Sequence, residues 1–462
     1  MLREKSPWLV FSSVCLCSVL GCGENPLNAI WPEPQERNPN VSRPVYSLAS
    51  GDYNYAATLT VSIICTTAGA SVKYSTDGSD PKTSATAVVG TSVSLTSSKT
   101  IRAYAFKSGM KDSDENDGTF NVYKTFLYVG DTGSYAGSGI YKYEVSMATG
   151  ELLNRVFYNT NQCSTLAVDP ARKILYAATN GGHGMSSFPI NTDGSLGTQT
   201  ANFNLGDSPG EMVVHPNAKF LYGVLGTTQV FEVDVTSSSS TDWTMNVFSN
   251  THTTPSDVAI KPSGDYLFAL YQGDNILASS AVDQSTGTLT YQSGVASSSP
   301  SAAITSLVTH PSLPALYVLQ SFTVASFTVI PTSGALSLGP SENCGNVRSL
   351  AIDPIGKFLY VGLQASTPSK DPIREYPIDQ GTGLLNVAAT VQYSSLTSGT
   401  SDYHIMAIDP TGNFLYNYTD DTQLIQVFSI DRATGALTEL SAYAQTFPGA
   451  QASVPVFTRV KQ

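Results

Sequence analysis

The chain has 462 residues and a formal net charge of −12, and only 13% of its residues are charged. A net negative protein of this kind is a poor electrostatic partner for nucleic-acid backbones and anionic lipid surfaces. Hydrophobic residues at 41% allow a sizeable core. Few charges combined with frequent Ser, Thr, Gly and Tyr are typical of an extracytoplasmic β-protein rather than a cytosolic helical one.

The N-terminus carries an export signal. A short basic region precedes an apolar stretch over residues 8–20, which is too short to span a bilayer, and the stretch ends at Gly21-Cys22. This pattern resembles a bacterial lipoprotein signal, and an ordinary secretory signal is the alternative. The resemblance implies that residues 1–21 form a signal peptide and that Cys22 carries lipid. Several acyl chains on Cys22 would attach the protein to a membrane almost irreversibly.

The sequence of the segment after the signal predicts no regular secondary structure. Residues 22–42 carry four prolines among Asn, Glu and Gln, and no helical or strand periodicity survives there. We predict an acylated tether. Beyond the tether, Cys65, Cys163 and Cys344 show neither disulfide nor metal-ligand spacing. We expect them to be small buried residues, and we predict no metal and no cofactor.

Residues 43–123 are predicted to form a β-sandwich. Short alternating strands are separated by Asp77-Gly78 and Asp80-Pro81, which are strong turn signals. The phrases at 74–81, 101–105 and 107–110 closely resemble the chitobiase/β-hexosaminidase C-terminal-like domain. That family is an immunoglobulin-like accessory module without catalysis. Asp77 and Asp80 could instead form a calcium loop, but a turn requires the same residues and is favoured.

A repeat occupies residues 125–462. Seven Phe-Leu-Tyr-like markers recur 43 to 56 residues apart, and six of them follow an X-Pro turn. Each unit then contains an alternating strand, a Thr-Gly-x-Leu turn and a last strand, which matches one four-stranded blade of a β-propeller. The markers are centred on Leu127, Leu175, Leu221, Leu267, Leu316, Leu359 and Leu415.

The two ends of the repeat region predict how the ring closes. The first unit has no leading strand, and one strand is left over at residues 452–459. We expect this tail to become the innermost strand of the first blade, with residues 125–161 supplying the other three. The predicted fold is all-β, an immunoglobulin-like β-sandwich followed by a seven-bladed β-propeller that the C-terminal strand closes. Closure leaves no exposed sheet edge.

The first blade resembles the opening of the seven-bladed lactonase family, which includes 6-phosphogluconolactonase-like proteins. The resemblance is carried by residues 127–134, 137–143 and 149–152, and later blade phrases extend it over about residues 125–460. It implies the fold more than the activity, because such phrases are shared with other propellers.

The family's usual site has a Pro-Arg-His phrase before an inner strand and a Glu after the next strand. Here Arg348 holds the Arg position, but its neighbours are Val347 and Ser349, and Gln364 stands where the Glu would follow. In the next blade His404 occupies the equivalent position. A glutamine cannot act as a base.

A ring of residues is predicted to face the central channel, where it could bind a small anion or sugar or could equally hold only water. It contains one cation and one possible acid. By repeat alignment, its members are the first residues of the inner strands, namely Ser164, Gly210, Ser256 or Asp257, Thr305, Arg348 and His404. His215 and His310 stand in X-Pro turns and are predicted to be structural.

These patterns favour a lipid-anchored protein of the bacterial cell envelope, held at the periplasmic or cell-surface side of a membrane through Cys22. The altered site phrase favours a non-enzymatic binding or scaffolding role, with a protein or glycan partner on a propeller face and no nucleic acid. The alternative is an extracytoplasmic lactonase-type hydrolase centred on Arg348.

Overall fold

A computed structural model gives the structure of this protein. It describes residues 39–54, 59–133, 138–160, 163–169, 171, 173–179, 183–200, 202–226, 229–248, 251–296, 304–320, 322–345, 347–363, 372–394, 404–419, 422–449 and 451–462. Cys22, Gln364 and the predicted signal and tether lie outside these residues, apart from the last four tether positions.

The N-terminal strands form a sandwich. They are β1 (Val45–Tyr46), β2 (Gly51–Asn54), β3 (Leu59–Ile64), β4 (Ser71–Ser75), β5 (Val88–Val89), β6 (Ser92–Leu95), β7 (Lys99–Phe106) and β8 (Asn116–Gly130). One sheet has the order β1-β3-β6, and the other has β5-β4-β7-β8 with β2 parallel to β8. Val61, Ile101 and Phe120 are fully buried in the core between the sheets, because alternate strand residues point to one face.

Seven four-stranded blades follow in the described residues, and they confirm the predicted propeller. The first blade contains the second half of β8, then β9 (Gly139–Val145) and β10 (Leu152–Asn159). The second contains β11 (Thr165–Asp169), β12 (Ile174–Thr179), β13 (Gly184–Pro189) and β14 (Phe203–Asn204). The third contains β15 (Pro209–Val214), β16 (Phe220–Leu225), β17 (Gln229–Asp234) and β18 (Thr244–Phe248). The fourth contains β19 (Pro255–Ile260), β20 (Tyr266–Tyr271), β21 (Ile276–Val282) and β22 (Leu289–Ala296).

The remaining blades complete the ring. The fifth contains β23 (Ile304–Thr309), β24 (Ala315–Gln320), β25 (Thr323–Val329) and β26 (Leu336–Asn343). The sixth contains β27 (Val347–Ile352), β28 (Phe358–Leu363), β29 (Pro372–Pro377) and β30 (Val391–Ser394). The seventh contains β31 (His404–Ile408), β32 (Phe414–Thr419), β33 (Leu424–Ile430) and β34 (Leu437–Glu439), and β35 (Gln445–Thr446) also pairs with β33. The helical elements in the described part of the chain are three 3₁₀ turns, at Ser240–Asp242, Val387–Ala389 and Ser441–Tyr443.

The last strand, β36 (Val456–Lys461), closes the ring as predicted. It pairs antiparallel with β8, from Val456 opposite Tyr128 to Lys461 opposite Tyr123. It begins later than expected, because the preceding segment touches the blade through a bridge at Ala452 and then reaches Pro455, which cannot donate a ladder hydrogen bond.

The sandwich and the propeller share one strand. β8 runs for 15 residues without a break across the predicted boundary between residues 123 and 125. Gln462 ties the same junction, since its backbone N–H donates to the Val122 carbonyl at 2.8 Å and its carbonyl accepts from the Ser98 N–H at 2.8 Å. The junction is therefore a continuous ladder rather than a linker.

The two most visible repeat phrases bind each other across neighbouring blades. The Tyr222 hydroxyl donates to the Gly287 carbonyl at 2.8 Å, joining the marker of the third blade to the Thr-Gly turn of the fourth. Gly287 has φ of 77°, which favours glycine. The same bond closes the ring from Tyr416 to Gly150, at 2.8 Å. It recurs at Tyr128–Gly194, Tyr317–Gly383 and Tyr360–Gly435.

The two histidines of the X-Pro turns are structural residues that also join neighbouring blades through hydrogen bonds. Nε2 of His215 lies 2.9 Å from the Gly264 carbonyl and Nε2 of His310 lies 3.0 Å from the Gly356 carbonyl, each in the next blade. Burial lowers the pKa of both imidazoles, and the hydrogen bonds partly oppose this effect. Neutral imidazoles therefore join the blades at neutral pH.

Candidate functional site

A cavity of about 650 Å³ lies in the centre of the ring. The cavity is lined by residues of the inner strands of the second to seventh blades or by residues just before those strands. Thr132 and residues 451–454 of the first blade complete the lining. Successive inner strands contact one another, so side chains from different blades meet there. Its volume is within the range of small-molecule sites in proteins.

Bulges near the starts of four inner strands decide which residues face the cavity. The register of β15 shifts between Pro209 and Met212, and that of β19 shifts between Pro255 and Asp257. β23 and β27 show the same shift. A bulge adds one residue on one strand and re-aims the side chains that follow it. The cavity is consequently lined at the position four residues before the X of each X-Pro turn, by Glu211, Asp257, Ser306 and Ser349.

The predicted ring residues fall into two groups. Ser164 and Asp257 line the cavity, and Asp257 rather than Ser256 is the lining member of that alternative. Thr305, Arg348 and His404 lie on β23, β27 and β31 by backbone. Their side chains are outside the described part of the chain, so a role for them stays a prediction.

The sequence prediction missed the second acid of the cavity. The repeat alignment chose Gly210, but the next residue, Glu211, lines the cavity. The spacing itself contained the signal. Glu211 stands four residues before His215-Pro216, as Asp257 stands four residues before Lys261-Pro262.

Asp257 is held firmly. Its Oδ1 accepts the Val258 backbone N–H at 2.7 Å, and its Oδ2 accepts the Leu307 backbone N–H at 2.8 Å. Burial raises the pKa of Asp257 well above its usual value, and the nearby Glu211 charge raises it further, against these hydrogen bonds. Burial therefore favours the protonated acid at this position.

Glu211 is held by fewer hydrogen bonds than Asp257. Its Oε2 accepts a hydrogen bond from the Thr165 hydroxyl at 3.3 Å. Burial raises the pKa of Glu211, and the Thr165 hydrogen bond opposes the shift. Because the two carboxyls interact, they titrate as a pair, and the pair keeps a proton at a pH where isolated carboxyls are ionised. One carboxylate and one carboxylic acid side by side can serve as base and acid.

Among the described residues, no three or more His, Cys, Asp or Glu side chains come together in an arrangement that could hold a metal ion. Over the same residues, no helix has the length and apolar character needed to cross a membrane.

The fold and the cavity together define a seven-bladed propeller with an acidic pair in its channel. Residues 126–238 match the family described as lactonase, 7-bladed beta-propeller, and residues 48–115 match the chitobiase/beta-hexosaminidase C-terminal domain. These matches confirm the resemblances to the lactonase propeller family and to the chitobiase/β-hexosaminidase C-terminal-like domain, whereas the lipoprotein signal stays a prediction.

Known proteins agree with this architecture. A probable 6-phosphogluconolactonase of Arthroderma benhamiae is 30% identical over 105 residues, which cover 22% of this chain and a quarter (25%) of the relative's length. The periplasmic gluconolactonase of Pseudomonas aeruginosa superposes with a TM-score of 0.60 at 18% identity, over 73% of this chain and 99% of that one. A protein from Lactobacillus plantarum superposes with a TM-score of 0.57 at 14% identity, over 73% and 99%. At these identities the solved structures establish the propeller fold.

Proposed function

We propose that the propeller is a lactonase-type hydrolase and that its reaction centre is the channel cavity. The observation that carries the proposal is the pair Glu211 and Asp257 in a cavity of about 650 Å³, on neighbouring inner strands. The match of residues 126–238 to the lactonase propeller family supports the same conclusion.

The pair provides both proton transfers that ring opening requires. The Glu211 carboxylate takes a proton from water, and the resulting hydroxide adds to the lactone carbonyl carbon. The ring C–O bond then breaks, and the leaving alkoxide receives the proton held by Asp257. The product is an open-chain hydroxy acid. We assign Glu211 as the base because burial and the Glu211 charge raise the pKa of Asp257 well above its usual value, even against its two backbone hydrogen bonds, so that Asp257 is the group that holds the proton.

The cation for the developing oxyanion is assigned through the family resemblance. Arg348 holds the family's Arg position, and the residue after it, Ser349, lines the cavity. A preorganised positive charge at the carbonyl oxygen would stabilise the tetrahedral intermediate.

Glu211 changes which of the two functions suggested by the sequence, a binding or scaffolding role or a lactonase-type hydrolase, is favoured. A binding or scaffolding role was favoured because Gln364 replaces the family's Glu. Glu211 supplies a carboxylate that Gln364 cannot, on a different blade. This favours hydrolysis over the binding role.

A panel of five- and six-membered aldonolactones tests the proposal on the full chain in detergent. We expect turnover, and we expect Arg348→Ala to lower kcat by about 100-fold or more, the usual effect of losing an oxyanion-stabilising group. Arg43→Ala, in the sandwich, is the control and should keep full activity. Absence of turnover on every lactone would contradict the hydrolase and leave the binding role. Turnover that Arg348→Ala does not change would contradict the role of Arg348 alone.

We further propose that Cys22 is acylated and holds the protein in the bacterial cell envelope. The support is the apolar stretch that ends at Gly21-Cys22 and the proline-containing segment after it. In a bacterial host, Cys22→Ser should move the protein from the membrane fraction to the soluble fraction, because no acyl chains remain. An unchanged membrane fraction would contradict the lipid anchor. A protein or glycan partner on a propeller face stays a prediction.

A further inference from the structure

The carboxyl and hydroxyl groups that line the cavity determine which kind of lactone the cavity accepts. Glu211 and Asp257 occupy equivalent positions on β15 and β19, so both acids lie at the end of the channel where the inner strands begin. The hydroxyl residues Ser306 and Ser349 hold the same position on the next two blades. The described lining thus offers two carboxyls beside a set of neutral hydroxyl groups.

Hydroxyl-bearing ligands suit this lining. A carboxylate accepts hydrogen bonds from ligand hydroxyls, and Ser hydroxyls can donate as well as accept. A sugar-acid lactone presents several hydroxyl groups and no charge. Apolar residues such as Met212, Leu307 and Met406 also line the cavity, and they can pack against the C–H faces of such a ring.

We propose that the site is specific for uncharged polyhydroxy lactones and discriminates against lactones that carry a phosphate group. This inference rests on the proposed hydrolase function and names its substrate class. A phosphate dianion brought beside the half-buried Glu211 carboxylate is repelled, and the repulsion is stronger in the cavity than in bulk water. An uncharged lactone avoids this repulsion in the bound state.

The same charges act on the product. Hydrolysis converts a neutral lactone into a hydroxy acid whose carboxyl group ionises at neutral pH. The new carboxylate forms beside the acidic pair that carried out the reaction. The repulsion that excludes phosphorylated substrates therefore also promotes product release, so one feature serves both specificity and turnover.

Steady-state kinetics on the full chain in detergent test the specificity, with D-glucono-1,5-lactone and its 6-phosphate at one pH and ionic strength. We expect kcat/KM for the phosphorylated lactone to be at least about 100-fold lower, and we expect added salt to narrow the gap by screening. Equal or faster hydrolysis of the phosphorylated lactone would overturn the inference and leave the hydrolase standing. Hydrolysis of neither lactone would overturn the hydrolase and the inference with it.

Calorimetry provides a readout that does not depend on turnover. We expect Glu211→Gln to bind 6-phosphogluconate about 10-fold more tightly than the unaltered protein does, because one repelling charge is removed. Binding of the neutral polyol glucitol should change little. Asp112→Asn, which removes an exposed carboxyl from the sandwich, is the matched control and should change neither affinity. Unchanged 6-phosphogluconate affinity in Glu211→Gln would contradict the proposed charge effect.

Discussion

Deletion of residues 447–462 is expected to abolish cooperative unfolding of the whole propeller, rather than to fray one end of the chain. The deletion removes β36, which is the innermost strand of the first blade and pairs with β8 from Val456 to Lys461. It also removes Phe447, which is fully buried between Tyr141 and Tyr418 with ring centroids 5.1 and 5.4 Å apart. Loss of one buried Phe side chain alone costs about 3–5 kcal/mol, a large part of the stability of an ordinary domain.

Calorimetry and near-UV circular dichroism would measure this effect. Deletion of Gln462 alone is the control, because it removes the contacts with Ser98 and Val122 and leaves β36 in place. The control should retain one sharp propeller transition. The sandwich keeps β7 and β2 beside its half of β8, so we expect it to unfold separately in the larger deletion. A propeller transition of normal sharpness after the larger deletion would contradict ring closure as the source of cooperativity.

The number of blades and the closing strand could be predicted because the residues of the repeated phrases perform the same function in most of the blades. The Tyr222 hydroxyl and the Gly287 carbonyl belong to the two phrases that the sequence repeats most clearly. The bond between them has the same geometry around the ring, down to Tyr416 and Gly150. A constraint shared by five blades leaves the same residue types at the same spacing, and this makes the repeat visible in a single sequence.

The site could be predicted only in part, because its residues differ from blade to blade. Asp257 was found, but Glu211 was missed by one position. Strict alternation along a strand fixes which residues share a face, and the bulge between Pro209 and Met212 breaks that alternation. Gly210 inside β15 and the spacing of Glu211 to His215-Pro216 were signals of this shift, but the repeat alignment compared only the first residues of the strands and did not use them.

The sharing of one strand between the two domains could not be predicted for a different reason. A change in composition near residue 123 indicated a boundary between two domains, and this is a sound rule when each strand belongs to one sheet. β8 instead pairs with β7 over its first half and with β9 and β36 over its second half. The pattern of a single strand does not say which partners lie beside each half, because the partners come from distant parts of the chain.

The two acids of the cavity should respond differently to neutral substitution. Asp257 accepts backbone N–H groups on both carboxylate oxygens. An asparagine there would direct an NH₂ group at a backbone donor, so Asp257→Asn removes a hydrogen bond and the acid together. Glu211 accepts from the Thr165 hydroxyl through Oε2, and a glutamine carbonyl can replace that oxygen. Glu211→Gln is therefore the cleaner variant.

Glu211→Gln is expected to lower kcat/KM on an aldonolactone by about 10²- to 10⁴-fold, the usual contribution of a general base. It should also raise the melting temperature at pH 7 to 8. Burial raises the pKa of Glu211 in the folded protein. The stabilising contribution of this group is thus complete below the unfolded-state pKa of about 4.3 and is lost as the pH rises through the folded-state value. Glutamine has no charge to bury, so the stability difference should grow from pH 5 to pH 8.

Glu375→Gln is the matched control for Glu211→Gln. Glu375 is a buried glutamate on β29 whose pKa is also raised by burial, and its Oε2 accepts the Tyr393 hydroxyl at 2.7 Å. It contacts the turn of the next blade near Gly435. The control should follow the same stability trend with pH while kcat/KM stays unchanged. An equal loss of activity in both variants would indicate a general effect of neutralising buried acids. Full activity in the Glu211→Gln variant would show that Glu211 is not the general base. In the proposed mechanism no other group activates the water.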